Sequence, residues 1–315
     1  MIQVPAEQER DAHRAAAAAA LPTAGPVVPV YYNRRLPEAQ RRQAIYDGAL
    51  FVFSGLAAIR RLGDWAGELA AKAFQGVPEM LRAHRHLAVE EFVRRVSPLK
   101  SRFTNDARTK RLCQELVVEM GADPQRTYFD LPRLRVIPPA SYLAAGVSYN
   151  YAPHRDTWYA HPRQLVNYWA PLHDTQASTV MTMFVDHFRR PVANTSARWD
   201  YGEWVRNARF NAAASIRREE RAHPVPLAEV AGTTQLRLVL NGGDAMVFST
   251  CQLHASTPND TDAIRFSFDL RTLNLDDLEA GRGPVDVDGQ ATGTTLPDFL
   301  RGSDLAPLQR PPGTG

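Results

Sequence analysis

The chain has 315 residues, 44% of them hydrophobic and 23% charged, with a formal net charge of +3. That length can bury a substantial core, the composition is that of a globular protein rather than a disordered one, and so small a charge singles out no partner. There is no basic patch interleaved with aromatics to suggest nucleic acid, no nucleotide-binding glycine loop, and no apolar run near the roughly 20 residues a membrane helix needs.

Residues 1–26 contain an alanine run, Ala15 to Ala20, preceded by Glu7, Glu9, Arg10, Asp11 and Arg14. This is no signal peptide, so a disordered tail and a cytoplasmic protein are expected. Pro37 opens a helix, where its missing N–H costs nothing. Ala49 to Phe53 is a short apolar run ending at Ser54-Gly55 and reads as a strand. Leu56, Ile59, Leu62, Trp65, Leu69 and Phe74 form the stripe of an amphipathic helix. Two more helices are predicted, at 78–96 and 105–120, the second stopped by Gly121. The helical block thus spans 36–121.

After Pro124 the pattern changes to short strands, predicted at 128–137, 148–157, 164–172, 179–185, 234–240, 244–248 and 264–272. Asn241-Gly242-Gly243 and Pro258-Asn259-Asp260 are strong turn signals. Strands following a helical block indicate an α+β fold, with a jelly-roll core over 125–275 packed on helices. The long connection 189–226, with a charged helix predicted at Arg217 to Arg221, is expected to act as a lid. Residues 27–280 form a single catalytic domain in this reading, and 281–315 an extension.

The chemistry centres on His154-Arg155-Asp156. In an extended strand, residues two apart share a face, so one imidazole and one carboxylate would enter a common space. A second histidine would complete a facial triad for non-haem Fe(II), and His254 is the best placed. His223, before Pro224, is the rival, but no Arg-x-Ser follows it as Arg265-Phe266-Ser267 follows His254. Cys251, three residues before His254, reads as a buried small side chain in preference to a thiolate ligand.

The order His154-x-Asp156, His254, Arg265-x-Ser267 resembles the Fe(II)/2-oxoglutarate-dependent oxygenases, and within them the bacterial phytanoyl-CoA-dioxygenase-like branch. Gln164 to Leu172 resembles that branch's second core strand. Met183 to Phe188 departs from the Pro-Gly-Ser-His-like turn found there. The resemblance implies a double-stranded β-helix (jelly-roll, cupin-like) core with the mainly helical N-terminal block packed on it. It also implies Fe(II), 2-oxoglutarate and O2 as cofactor and cosubstrates, with ascorbate as a candidate reductant. Arg265 would grip the far carboxylate of 2-oxoglutarate, aided by Ser267, and Gln164 and Asn167 are expected at the same end. Halogenating relatives carry a small residue in place of the carboxylate, so Asp156 argues for hydroxylation or desaturation of a small molecule.

Tyr151, Trp158, Tyr159, Trp169, Arg189 and Arg271 are the substrate-side candidates, with packing the competing reading for the aromatics and a solvated face for Arg189. Arg271 shares a face with Arg265 and Ser267 and is also an alternative carboxylate ligand, with a salt bridge to Asp269 or another acid as its competing reading. The arginines point to a polar or anionic substrate. Two rival readings are a cupin-type isomerase or hydrolase that ignores 2-oxoglutarate, and a non-catalytic metal- or ligand-binding module.

Overall fold

The computed structural model describes residues 28–309, apart from 210, 217 and 231–233. The predicted tail 1–26 and residues 310–315 lie outside the described residues. In chain order the elements are β1 (Val30–Tyr32), α1 (Glu38–Tyr46), β2 (Leu50–Phe53), α2 (Ala57–Ala73), α3 (Val89–Asn105), α4 (Ala107–Glu119), β3 (Thr127–Asp130), β4 (Arg133–Ile137), β5 (Val166–Pro171), β6 (Met181–Phe184), α5 (Tyr201–Asn207), β7 (Gln235–Leu236), β8 (Ala245–Ser249), β9 (His254–Ser256), β10 (Arg265–Asn274), α6 (Leu275–Glu279) and β11 (Phe299–Arg301). A large sheet runs β1-β2-β8-β5-β10-β3-β11, with β4 also on β10, and a small one runs β7-β6-β9. The fold is mixed α+β.

The middle of the large sheet is covered on both faces, so β2, β5 and β8 are buried along their whole length. Alternation sorts their side chains. Phe51, Phe53, Val166, Tyr168, Ala170, Ala245, Val247, Phe266, Phe268 and Leu270 join the core made with α2, α3 and α4. Leu50, Val52, Trp169, Met246 and Phe248 pack on the opposite face with Met183 of the small sheet. Helix α2 buries Ile59, Leu62, Ala66, Leu69 and Ala70, and α3 buries Phe92, Val93, Val96, Leu99 and Phe103. Each large side chain so buried contributes about 1.5–3 kcal/mol. No side chain of α2's own caps its start; instead the Glu119 carboxylate, at the end of α4, accepts from the N–H groups of Ala57 and Ala58 at 2.7 and 2.9 Å. An anion there also suits the helix dipole.

Several expectations need correction. The helix predicted at 78–96 is a 3₁₀ turn, Met80–Arg85, followed by α3. Asp262 pairs with Arg82, His84 and Arg85 and fixes that turn separately. Helix α3 then runs through Pro98, which is exposed, so the carbonyl left without its i→i−4 donor faces water. Residues 127–137 are two strands broken at Leu131-Pro132, both antiparallel to β10. No strand spans 148–157: His154 makes one isolated bridge with His254, and Asp156 opens a 3₁₀ turn to Tyr159. Residues 218–221 are irregular rather than helical. Glu219 there accepts from the Gly146 N–H at 2.9 Å and pairs with Arg221.

The 281–309 segment wraps back over the body. Its β11 pairs with β3, and Asp288 reaches the motif itself. Arg155, fully buried, donates from Nε to Asp288 at 2.9 Å, from Nη1 to the carbonyl of Cys251 and from Nη2 to those of His187 and Arg190. Asp288 also accepts from Trp158 Nε1 at 2.7 Å and the Val192 N–H at 2.8 Å. One carboxylate therefore joins the H-x-D stretch, the start of the 189–226 connection and the C-terminal segment. Removing it leaves a buried guanidinium without its counterion, a change worth about 3–5 kcal/mol. Asp288→Ala is expected to lose that much stability in urea unfolding; a loss under about 1 kcal/mol would show that water replaces the carboxylate.

Candidate metal and cosubstrate site

His154, Asp156 and His254 are all buried, and one ligand-type atom from each lies within 4.8 Å of the other two. The antiparallel bridge, with His154 N–H to His254 O and His254 N–H to His154 O both at 2.9 Å, sets the imidazoles side by side. Each histidine places Nδ1 at 2.8 Å from a backbone carbonyl, Ala152 O for His154 and Gln252 O for His254. A carbonyl only accepts, so Nδ1 carries the proton and the Nε2 lone pair is free. Both Nε2 atoms face Asp156 Oδ1, at 3.6 and 3.8 Å.

The other carboxylate oxygen is occupied. Asp156 Oδ2 accepts from Arg271 Nε and from Asn167 Nδ2, each at 2.9 Å. Arg271 is fixed in turn by Asp130, through its backbone N–H at 2.6 Å and Nη1 at 3.1 Å. Burial alone would push the Asp156 carboxyl up, but the Arg271 guanidinium, with the imidazoles of His154 and His254 close by, holds it well below the usual carboxylate range. Burial and His154 bring His254 down to about 4, against the pull of Asp156. Near neutral pH the cluster thus offers one carboxylate oxygen and at least one neutral imidazole, a donor set that fits a mononuclear divalent metal of the Fe(II) type.

The cluster opens into a cavity of about 600 Å³ between the two sheets. On β10 the period of two aims Arg265, Asp269 and Arg271 at this cavity and the intervening phenylalanines at the helices. Arg265 donates from Nη1 to Thr179 O at 3.1 Å and sits 6.0 Å from the Trp169 ring centroid. Its Nε and the Ser267 hydroxyl, both buried, have no hydrogen-bond partner among the described residues. Burial and Arg135 lower the Arg265 pKa to about 10, partly offset by Asp269, so the guanidinium is charged at neutral pH. Among the described residues no carboxylate lies within ion-pair distance of it. A buried cation and hydroxyl with unused donors are costly and fit the carboxylate of a cosubstrate.

Other predicted site residues fall differently. Tyr151, Tyr159, Trp169 and Arg271 line the cavity. Trp158, expected at the mouth, is fully buried behind it with Phe184 and Leu253, because Asp288 holds its indole N–H. Arg189, expected on the substrate side, is a surface residue whose nearest acid is Asp47 at 3.8 Å. Gln164 precedes β5 and packs on Gly283 away from the cavity, with its carbonyl accepting from Tyr46. Asn167 faces the site but is engaged with Asp156 rather than free for a cosubstrate. His223 stacks on Tyr149 at 4.2 Å and is not one of the three clustered ligands. Trp199, Tyr201, Trp204, Arg209 and Arg221 of the 189–226 connection line the cavity, as does Lys100 of α3. Their side chains were not singled out as a site in the sequence, since each reaches it through long-range packing.

Asn167 offers a direct check. If it orients Asp156, Asn167→Ala is expected to weaken metal binding about 10–100-fold while the 2-oxoglutarate half-saturation stays within about twofold. A metal affinity unchanged in equilibrium dialysis would remove that role.

Two buried histidines and one carboxylate clustered on a mixed α+β body are the ligand set of the mononuclear non-haem metal enzymes. The sequence profile of the phytanoyl-CoA dioxygenase (PhyH) family matches residues 46–267, and the chain belongs to that family. It is an Fe(II)/2-oxoglutarate-dependent oxygenase. No curated protein matches the chain. Among solved structures it is similar to EvdO2 from Micromonospora carbonacea var. aurantiaca complexed with 2-oxoglutarate, at 13% identity and a TM-score of 0.44 over 75% of this chain and 90% of that one. It is similar also to the epimerase SnoN in complex with Fe3+, alpha ketoglutarate and nogalamycin RO, at 14% identity and 0.40 over 75% and 83%. A third likeness is to AviO1 from Streptomyces viridochromogenes Tue57, at 14% identity and 0.39 over 74% and 95%. No helix among the described residues is long and apolar enough to cross a membrane.

Proposed function

We propose that the enzyme hydroxylates or desaturates an unactivated C–H bond of a small polar or anionic molecule, converting 2-oxoglutarate to succinate and CO2. The observation that carries this reading is the meeting, in one cavity, of a three-ligand cluster with the guanidinium of Arg265, whose Nε has no partner among the described residues. In this reading His154, Asp156 and His254 hold Fe(II), and Arg265 with Ser267 receives the distal carboxylate of 2-oxoglutarate. Bound iron would supply oxygen activation and hydrogen abstraction.

The remaining work belongs to the chain. Asn167 and Arg271 keep Asp156 ionised and present one of its oxygens. The carbonyls of Ala152 and Gln252 keep the imidazole lone pairs inward. Tyr151 and Tyr159, whose rings stand 5.3 Å from that of His154, form an aromatic wall on which a substrate can lie. The 189–226 connection serves as the cover that keeps bulk water from the reacting atoms, and the core is read as a double-stranded β-helix within one catalytic unit.

The test is a substrate screen with labelled 2-oxoglutarate and O2, following succinate and product mass. A gain of one oxygen means hydroxylation, a loss of two hydrogens desaturation. A product of unchanged mass formed with succinate would overturn both outcomes, and metal-dependent turnover without 2-oxoglutarate would favour the isomerase or hydrolase reading.

A further inference from the structure

We propose that the cavity carries a subsite for an oxyanionic group of the substrate, a carboxylate or phosphate, centred on Lys100 and separate from the Arg265–Ser267 end. The inference deepens the oxygenase reading and rests on it.

Lys100 belongs to α3. Val96, Leu99 and Phe103 of that helix enter the core, while Lys100, Ser101 and Thr104 line the cavity. The Lys100 ammonium donates to Val147 O at 2.5 Å. Among the described residues no carboxylate lies within ion-pair distance of it, so two of its three N–H donors remain for another acceptor.

Its neighbours are also cationic, and the acids present are already engaged. Asp269 grips Arg135 with both oxygens, at 2.5 and 3.1 Å. Glu219 holds Arg221. Asp298 is shared by Arg209 at 2.9 Å and Arg133 at 4.0 Å. Each of these carboxylates is thus taken by an arginine, and none of them reaches Lys100. Burial, followed by Arg135 and Arg221, lowers the Lys100 pKa to about 7; an anion beside it would restore its charge. Lys100 is one of only three lysines in a chain whose cations are otherwise arginines. A lysine packed into a cavity without a counterion is a place where a ligand's anion replaces the missing partner.

The test is calorimetric titration of inorganic phosphate into the full chain loaded with Mn(II) and saturating 2-oxoglutarate, so that the Arg265 end is filled. Phosphate is expected to bind the wild type, to lose about tenfold or more in affinity in Lys100→Met, and to keep most of it in Lys100→Arg. The 2-oxoglutarate affinity should stay within about twofold in both, which also shows that the variants are folded. No phosphate binding, or binding insensitive to both substitutions, would overturn the subsite. A parallel loss of 2-oxoglutarate affinity in Lys100→Met would also overturn it, by placing Lys100 at the cosubstrate end. Failure of the wild type to bind Mn(II) with 2-oxoglutarate would instead overturn the underlying reading of the site.

Discussion

Replacing Asp156 by alanine is expected to lower succinate formation by more than about 100-fold, beyond what loss of a supporting residue around a metal site produces. The substitution removes the cluster's only carboxylate and leaves two imidazoles, an arrangement with weaker affinity for hard or borderline divalent metals. It should not unfold the protein, because Arg271 keeps its bonds to Asp130. The comparison with Asn167→Ala separates the roles: one change removes a donor atom, the other only its orientation. Parallel equilibrium dialysis with Fe(II) under argon measures the metal, and succinate release measures turnover. Turnover retained in Asp156→Ala would mean that these three residues are not the ligands.

Arg265→Ala is expected to raise the 2-oxoglutarate half-saturation about 100-fold or more at nearly unchanged metal affinity. Charge-assisted hydrogen bonds contribute about 1.5–3 kcal/mol each, and two from one guanidinium reach that factor. Lysine at 265 should recover only part of the loss, since a point charge lacks the planar fork. Arg271 lies on the same face of β10 and behaves differently. Its guanidinium is committed to Asp156 and Asp130, so its replacement should weaken the metal before it weakens the cosubstrate. An unchanged 2-oxoglutarate half-saturation in Arg265→Ala would move the distal carboxylate elsewhere in the cavity.

The arrangement of β10 was legible because a period of two needs only local sequence: Arg265, Ser267, Asp269 and Arg271 alternate with Phe266, Phe268 and Leu270. The three clustered residues were legible because few side-chain types can hold such a metal. The reason given for the convergence of His154 and Asp156 was not the physical one. They meet through a single bridge to His254 and a 3₁₀ turn, not across the pleat of a strand.

What the sequence hid is non-local. Asp288 lies 133 residues from Arg155, and nothing near either residue marks the pair. Trp158 sits beside the motif, yet its burial is decided by that same distant carboxylate. Lys100 reads as one more polar position on an amphipathic helix until the strands bring Arg133 and Arg135 beside it. Asn167 shows the same limit at closer range: its face was legible, its partner was not.

The most direct measurement of the central claim is an anaerobic absorbance titration of the metal-free protein with Fe(II), then with 2-oxoglutarate. Chelation of the keto acid to ferrous iron at the cluster predicts a weak visible charge-transfer band that bleaches on admitting oxygen, is absent in His254→Ala and needs far more 2-oxoglutarate in Arg265→Ala. Iron bound with no such band at any 2-oxoglutarate concentration would contradict the account.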